Sequence, residues 1–201
     1  VLISGNAGDG KTAFIQQMEA RVRRGGSDVA PTGTGNGSSF TWQGRSFLTN
    51  YDGSQDEGDK VNDQVLREFF APFSGNDASA WTDGETRVIA INEGRLIDFL
   101  EQNGAEFRHL NQVIRRGLTS AAQEDGIAVV NLNLRSVVAS NNEQPSILAT
   151  LLRRLTAPEF WEACQQCDLR DKCYAHHNAR AFANPQAGAQ VIERLELMYR
   201  L

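Results

Sequence analysis

The feature that most constrains this chain is a glycine-rich stretch, GNAGDGKT, at residues 5–12, directly after the apolar start VLIS. Three glycines in eight residues are poor material for a strand or helix, because glycine loses more conformational freedom on folding than any other residue. In residues 11–24, KTAFIQQMEARVRR, the residues Phe14, Met18 and Val22 recur at four-residue spacing, which predicts a helix. The pattern is therefore strand, loop and helix, with a lysine and a threonine where the helix begins.

This loop has the composition and the context of a phosphate-binding site, because it fits G-x-x-x-x-G-K-[ST] between a strand and a helix. Its glycines let backbone N–H groups turn towards an anion, and the helix N-terminus adds about half a positive charge. We expect Lys11 to contact the β- and γ-phosphates of a nucleotide and the Thr12 hydroxyl to bind Mg²⁺. The predicted nucleotide-binding residues of the loop are Gly5, Asn6, Ala7, Gly8, Asp9, Gly10, Lys11 and Thr12.

A second part of the site is predicted at the end of the run VIAINEG, residues 88–94. The near-continuous apolar segment is typical of a parallel strand that is covered on both faces. Asn92 stands where such sites usually carry the aspartate that holds the water shell of Mg²⁺; it accepts a hydrogen bond but adds no negative charge. Glu93 is then placed to act as the general base that activates water. Alternatively, Asn92 and Glu93 only end the strand and cap the next helix.

A third strand is predicted in GIAVVNLNLR, residues 126–135, and we expect it to lie between the two strands above in the sheet. Asn131 and Asn133 lie on one face of this strand because side chains alternate with a period of two. Either residue is a candidate sensor of the γ-phosphate, and ordinary polar capping of a strand end is the alternative. The expected catalytic residues are thus Lys11, Glu93, Asn131 and Asn133.

The order of apolar patterns predicts the fold class. Strands that alternate with helices of ten or more residues indicate crossover units and a parallel sheet. Strands are predicted at 1–4, 46–51, 87–92 and 126–133; helices at 11–24, 59–71, 95–102, 105–120, 145–156 and 186–200; and a loop at 25–39. We therefore expect a three-layer α/β core with a parallel central sheet over residues 1–157, and a small cysteine-rich helical appendage over residues 158–201.

The three cysteines fall within ten residues, in the pattern C-x2-C-x5-C. An odd, clustered set is unlike a disulfide framework and favours a metal site in a reducing compartment. We expect Zn²⁺ at Cys164, Cys167, Cys173 and His177, with His176 an equal candidate for the fourth ligand. The alternatives are another metal or a cluster completed from outside, and plain reduced thiols.

Charge and hydropathy limit the partners. The net charge of −5 does not indicate a generally basic nucleic-acid surface. No run approaches the roughly 18 apolar residues of a membrane span, and no secretory signal is visible, so we expect a cytoplasmic protein without a membrane partner. Because the chain starts without Met inside a predicted strand, we expect it to be a piece of a longer polypeptide.

Taken with these motifs, residues 1–135 resemble additional-strand P-loop ATPases of the AAA+/STAND type. More loosely, GNAGDGKTAFIQ, INEGRLIDFL, NLNLR and the cysteine pattern resemble large ATPases of bacterial anti-phage defence, in particular the phosphorothioation-dependent restriction ATPases. The resemblance implies a multidomain protein that acts with other domains or subunits on foreign DNA. Asn92 departs from the family pattern, which puts the turnover rate in doubt.

The sequence therefore favours an ATP-binding and ATP-hydrolysing domain that works as a motor or switch with Mg²⁺. ATP is preferred to GTP because the chain lacks the N/T-K-x-D motif of guanine-specific switches. Two alternatives stay open: a nucleotide-gated binding module with negligible hydrolysis, and a kinase that phosphorylates a small molecule.

Overall fold

The computed structural model describes residues 1–58, 61–81, 84–120, 123–141 and 144–199. The chain divides into two compact units, Val1–Leu134 and Arg135–Leu201. The sequence-based division had placed residues 135–157 with the first domain, whereas these residues belong to the second compact unit.

The first unit is an α/β structure around one mixed sheet. Its elements are β1 (Leu2–Ser4), α1 (Lys11–Arg24), β2 (Val29–Pro31), β3 (Ser38–Trp42), β4 (Arg45–Asn50), α2 (Asn62–Phe70), β5 (Glu85–Ile91), α3 (Glu93–Gln102), α4 (Arg108–Thr119), β6 (Gln123–Glu124) and β7 (Ile127–Asn131). Across the described residues the strand order is β2-β3-β4-β5-β1-β7-β6. The helix predicted over residues 11–24 is confirmed as α1.

The expected parallel central sheet is found in part: β4, β5, β1 and β7 run parallel, whereas the strands at the two edges pair antiparallel. Residues 25–39, predicted to be a loop, contain β2 and the start of β3, and both strands pair antiparallel beside β4. A tight hairpin joins β3 to β4: Gln43 and Gly44 have φ of 50° and 76°, as a type I′ turn requires. The many glycine, serine and threonine residues of this segment concealed its strand pattern.

The expected position of the third predicted strand is also wrong. The strand that contains Asn131 does not lie between β1 and β5; instead β1 lies between β5 and β7. Ser4 is opposite Ile91 on one side and opposite Asn131 on the other. The strand between β1 and β4 is β5, and all three run parallel. The loop that follows β4 therefore lies at the same edge of the sheet as the glycine-rich loop.

Alternate residues of the central strands face two different helical layers. Leu2, Ile89 and Ile91 pack into a core with α2, α3 and α4. Their neighbours Ile3, Val88 and Ala90 pack against Ile15 of α1 on the other face. This alternation follows from the two-residue period of a strand. Because β1 and β5 run parallel, α1 and α3, which follow them, begin at the same edge of the sheet.

The second unit, in its described residues, consists of helices and short 3₁₀ segments. Its helices are α5 (Ile147–Leu155), α6 (Tyr174–Ala183) and α7 (Pro185–Met198), with 3₁₀ segments at Pro158–Gln166 and Arg170–Lys172. Ser146 caps α5, and Asn184 caps α7 by accepting hydrogen bonds from two backbone N–H groups. A Cβ at Gly188 would lie 2.1 Å from the carbonyl oxygen of Phe182, so glycine permits the close approach of α6 and α7.

Candidate functional site

The glycine-rich loop connects β1 to α1 with a backbone that favours glycine. Gly8 and Gly10 have φ of 88° and 83°, in the left-handed region that other residues rarely adopt. Gly10 is also the N-cap of α1 and provides no side-chain cap for the first turn. The N-terminal amides of α1 therefore lie at the loop, where the helix dipole favours an anion.

The charged and hydroxyl groups of the loop are held by backbone groups. The Lys11 ammonium donates to the carbonyl oxygens of Gly5 and Asn6, at 3.0 and 2.6 Å. The Thr12 hydroxyl donates to the carbonyl oxygen of Tyr51, which follows β4, at 2.8 Å. The Asp9 carboxylate accepts the N–H of Asn6 at 2.5 Å and so bridges the start of the loop.

A pocket of about 640 Å³ opens at this loop, within the size range of small-molecule sites. Its lining residues are Ala7, Gly8, Gly10, Lys11, Thr12, Ala13, Gln16, Tyr51, Asp52, Ser54 and Asn92. The structure thus brings the loop together with the ends of β4 and β5. Of the predicted residues beyond the loop, Asn92 lines this pocket, whereas Glu93, Asn131 and Asn133 do not.

Asp52 is a pocket residue that the sequence analysis missed. It lies two residues after the end of β4, beside the carbonyl group that holds Thr12. Its carboxylate accepts hydrogen bonds from the Ser54 N–H and the Gln55 side-chain amide, both at 2.9 Å. Carboxylate and hydroxyl oxygens are ligands that suit Mg²⁺. The signal was present in the sequence, because the predicted strand SFLTNY is followed directly by this acid.

The backbone of Asp52 is fixed by two asparagine side chains. Its N–H donates to the side-chain oxygens of Asn36 and Asn50, each at 3.1 Å. Its carbonyl oxygen accepts the Asn36 side-chain amide at 3.0 Å. The Glu57 carboxylate accepts hydrogen bonds from both asparagines, at 2.9 and 3.1 Å. These contacts hold the backbone of Asp52 beside Asn36, which precedes β3, and Asn50, which ends β4.

Asn92 combines a helix cap with a place in the pocket. Its side-chain oxygen accepts the N–H of Gly94 at 3.0 Å, which makes it the N-cap of α3. Its backbone N–H lies 3.4 Å from the Ser54 hydroxyl. Helix capping was the alternative interpretation from the sequence. In the structure Asn92 both caps α3 and lines the pocket.

Glu93, Asn131 and Asn133 form a separate polar cluster at the end of β7. One carboxylate oxygen of Glu93 accepts the side-chain amides of Asn133 at 2.7 Å and Asn131 at 3.3 Å. Asn131 also donates to the carbonyl oxygen of Leu118 at 2.9 Å. A Cβ on Gly5 would lie 3.0 Å from the Cβ of Leu132, so the start of the glycine-rich loop runs past this cluster. The three predicted residues therefore meet one another beside the loop.

A buried carboxylate connects α1 to the β3–β4 hairpin. Glu19 is 1% exposed and accepts hydroxyl hydrogen bonds from Ser38 at 2.5 Å, Thr49 at 2.9 Å and Tyr51 at 2.7 Å. Burial, and then the hydrogen bond to the Glu19 carboxylate, raise the pKa of the Tyr51 phenol above its ordinary value of 10.0. Because the carbonyl group of Tyr51 also holds Thr12, this network fixes the loop that carries Asp52 relative to α1.

The cysteine cluster lies in the second unit. Cys164 and Cys173 are partly buried, Cys167 is exposed, and all three are free thiols. In the described part of the chain, no three metal-ligating side chains come together in a metal-binding group. The predicted zinc site at these cysteines and His177 therefore stays a prediction.

No family model matches the chain, and neither a curated protein nor a solved structure matches it. The fold is an α/β structure with a mixed sheet. Among the residues that the structure describes, none of the helices combines the length and the apolar character needed to cross a membrane.

Proposed function

We propose that residues 1–134 bind a nucleoside triphosphate together with Mg²⁺ and hydrolyse it, with ATP the preferred nucleotide. The observation that carries this proposal is the pocket of about 640 Å³ at the glycine-rich loop, which contains Lys11, Thr12 and Asp52. An ammonium group, a hydroxyl and a carboxylate beside a helix N-terminus match the chemistry of a triphosphate and its metal ion.

Each group of the pocket has a definite task in this proposal. The loop amides hold phosphate oxygens, and the Lys11 ammonium exchanges its two carbonyl partners for the β- and γ-phosphates. Thr12 and Asp52 are the residues that would hold Mg²⁺, which supplies positive charge at the phosphates when it is bound. Asp52 provides the negative charge that Asn92 lacks, and Asn92 is left as a neutral contact for the γ-phosphate.

Glu93 is the proposed general base, and Asn131 and Asn133 orient its carboxylate through their amide hydrogen bonds. A Glu93→Gln variant should retain ATP binding and lose phosphate release. Phosphate release at the wild-type rate would show that Glu93 is not the base.

Calorimetry with ATP and Mg²⁺ tests the binding step. Lys11→Ala should weaken ATP binding by about tenfold or more, because a hydrogen bond to a charged group contributes about 1.5–3 kcal/mol. Arg24→Ala removes a charge from the other end of α1, outside the pocket, and should leave the affinity unchanged. Equal losses in the two variants, or no magnesium-dependent binding by the wild type, would refute the proposal.

A nucleotide-gated regulatory module with negligible hydrolysis is the second candidate. It is favoured by one observation: Glu93 does not line the pocket, while its carboxylate is engaged by two asparagines. Steady-state phosphate release separates the two candidates. Release that depends on Lys11 supports the enzyme, and tight binding without release supports the module.

We further propose that this domain belongs to a larger bacterial multidomain protein of anti-phage defence, in which other domains or subunits contact DNA. The support is the resemblance of its short motifs to such ATPases. Phage challenge of cells that carry the full-length gene provides the test: Lys11→Ala should abolish protection if nucleotide binding drives defence.

A further inference from the structure

A second pocket, of about 360 Å³, lies within the second unit. It is formed by the 3₁₀ segment Arg170–Lys172, by α6 and by the start of α7. The lining residues with polar side chains are Arg170, Asp171, His176, His177, Arg180 and Asn184. None of the three cysteines lines it.

The charges of this pocket favour an anion. Arg170 and Arg180 are exposed, and neither forms an ion pair with any residue that the structure describes. The one carboxylate of the lining, Asp171, therefore leaves both guanidinium groups unpaired. Two guanidinium groups at one pocket also disfavour a divalent cation, because like charges repel.

His176 adds an imidazole to the lining of this pocket. It is only 8% exposed, it lines the pocket, and its imidazole forms no hydrogen bond with the described residues. One side of the ring faces Trp161, with 6.4 Å between the ring centroids. Among the described residues neither ring nitrogen of His176 is a buried atom without a partner, so the nitrogens are accessible, and a group that enters the pocket can bond to this imidazole.

We propose that this pocket binds a phosphate group, held by Arg170 and Arg180 and by a hydrogen bond from His176. A guanidinium group donates two parallel hydrogen bonds to phosphate oxygens, and an imidazole N–H adds a third donor. Asn184 uses its side-chain oxygen to cap α7, which leaves its amide N–H groups as further donors. All lining residues of this site belong to the second unit, and the proposal does not rest on the function proposed for the first unit.

The test follows the ¹⁵N signals of the imidazoles in the 201-residue chain, which has three histidines. His109→Gln and His177→Gln variants assign the His176 signal. Inorganic phosphate, a nucleoside 5′-monophosphate and a short single-stranded oligodeoxynucleotide are titrated separately. Saturable change with the first two indicates a free phosphate ester, and saturable change with the oligonucleotide alone indicates the phosphodiester of a strand; either result supports the site.

Arginine variants provide the control. Arg170→Ala combined with Arg180→Ala should weaken phosphate binding by about tenfold or more. The paired lysine substitutions should weaken it by less, because lysine keeps the positive charge but cannot donate two parallel hydrogen bonds to one phosphate. Arg153→Ala combined with Arg154→Ala removes the same charge elsewhere in this unit and should not change binding. The proposal is overturned if His176 shows no saturable change with any of the three probes, or if the control variant loses as much affinity.

Discussion

Removal of one hydroxyl group tests how the pocket at the glycine-rich loop is held. Tyr51→Phe deletes the phenol that donates to the buried Glu19 carboxylate at 2.7 Å, and keeps the ring and the carbonyl group that accepts from Thr12. The other two hydroxyl donors of Glu19, Ser38 and Thr49, contact the opposite carboxylate oxygen. The substitution therefore leaves one oxygen of a buried carboxylate without this partner.

The expected cost follows from the geometry. A hydrogen bond to a charged group contributes about 1.5–3 kcal/mol, and the partial exposure of Tyr51 favours the lower end of that range. We expect the free energy of unfolding to fall by about 1–2 kcal/mol, measured by urea denaturation with an unchanged slope. Tyr174→Phe is the matched control, because Tyr174 is 86% exposed, and should have no effect.

The same contact predicts a dependence on alkaline pH. The folded state raises the pKa of Tyr51, so the phenol keeps its proton at a pH where the unfolded chain has lost it. The contribution is fully present below the ordinary pKa of 10.0 and is lost as the pH rises through the higher pKa of the folded state. Wild-type stability should therefore fall more steeply above pH 10 than that of Tyr51→Phe. The reasoning would be refuted if the free energy of unfolding fell equally with pH in the wild type and in Tyr51→Phe, or if the variant lost no stability at neutral pH.

Three further predictions concern the pocket, the core and the cysteines. Asp52→Asn should weaken the magnesium-dependent part of ATP binding by about tenfold in calorimetry and leave metal-free binding nearly unchanged, because only the charge is lost; equal effects with and without Mg²⁺ would contradict the assignment. Gly117→Ala should lower the free energy of unfolding by about 1–3 kcal/mol, since its Cβ would lie 2.6 Å from the Val129 side chain, whereas Gly84→Ala meets no neighbour and is the control. If the cysteines bind zinc, metal analysis should find about one Zn²⁺ per chain and Cys164→Ser should remove it, and an absence of bound metal in the wild type would reject the site.

The local patterns of the sequence predicted the parallel centre of the fold well. Apolar strand, loop and helix follow one another at the start of the chain, and the helix of residues 11–24 has the predicted bounds. The buried face of this helix is Ile15, Glu19 and Val22, however, and Phe14 of the four-residue pattern is 59% exposed, so the pattern predicted the helix but not its buried face. The strand and helix around Asn92 were likewise recognised from their local pattern.

The order of strands in the sheet could not be obtained from the sequence in this way. Which strands become neighbours depends on how the crossover helices pack, and the local pattern does not specify this. For this reason β7 was expected between β1 and β5, whereas it lies on the other side of β1. The acid that would hold Mg²⁺ was sought at Asn92, after β5. Asp52 was missed because it follows β4, the strand on the other side of β5 from β1. The antiparallel β2 and β3 are short, and β3 is rich in serine and threonine. Here β3 pairs with β4 and β2 pairs with β3, so both strands depend on pairing rather than on a strong local preference.

Glu19 has one more consequence for the protein in solution. Its three partners are neutral hydroxyl groups rather than a cation, and Glu19 itself is buried at 1% exposure. Dissolved salt screens the attraction between exposed charges, such as Arg115 and Glu101, but has little effect on a short-range bond inside the molecule. The hydrogen bonds of Glu19 beside the pocket at the glycine-rich loop should therefore keep their strength at ionic strengths that weaken the exposed ion pairs of the same unit.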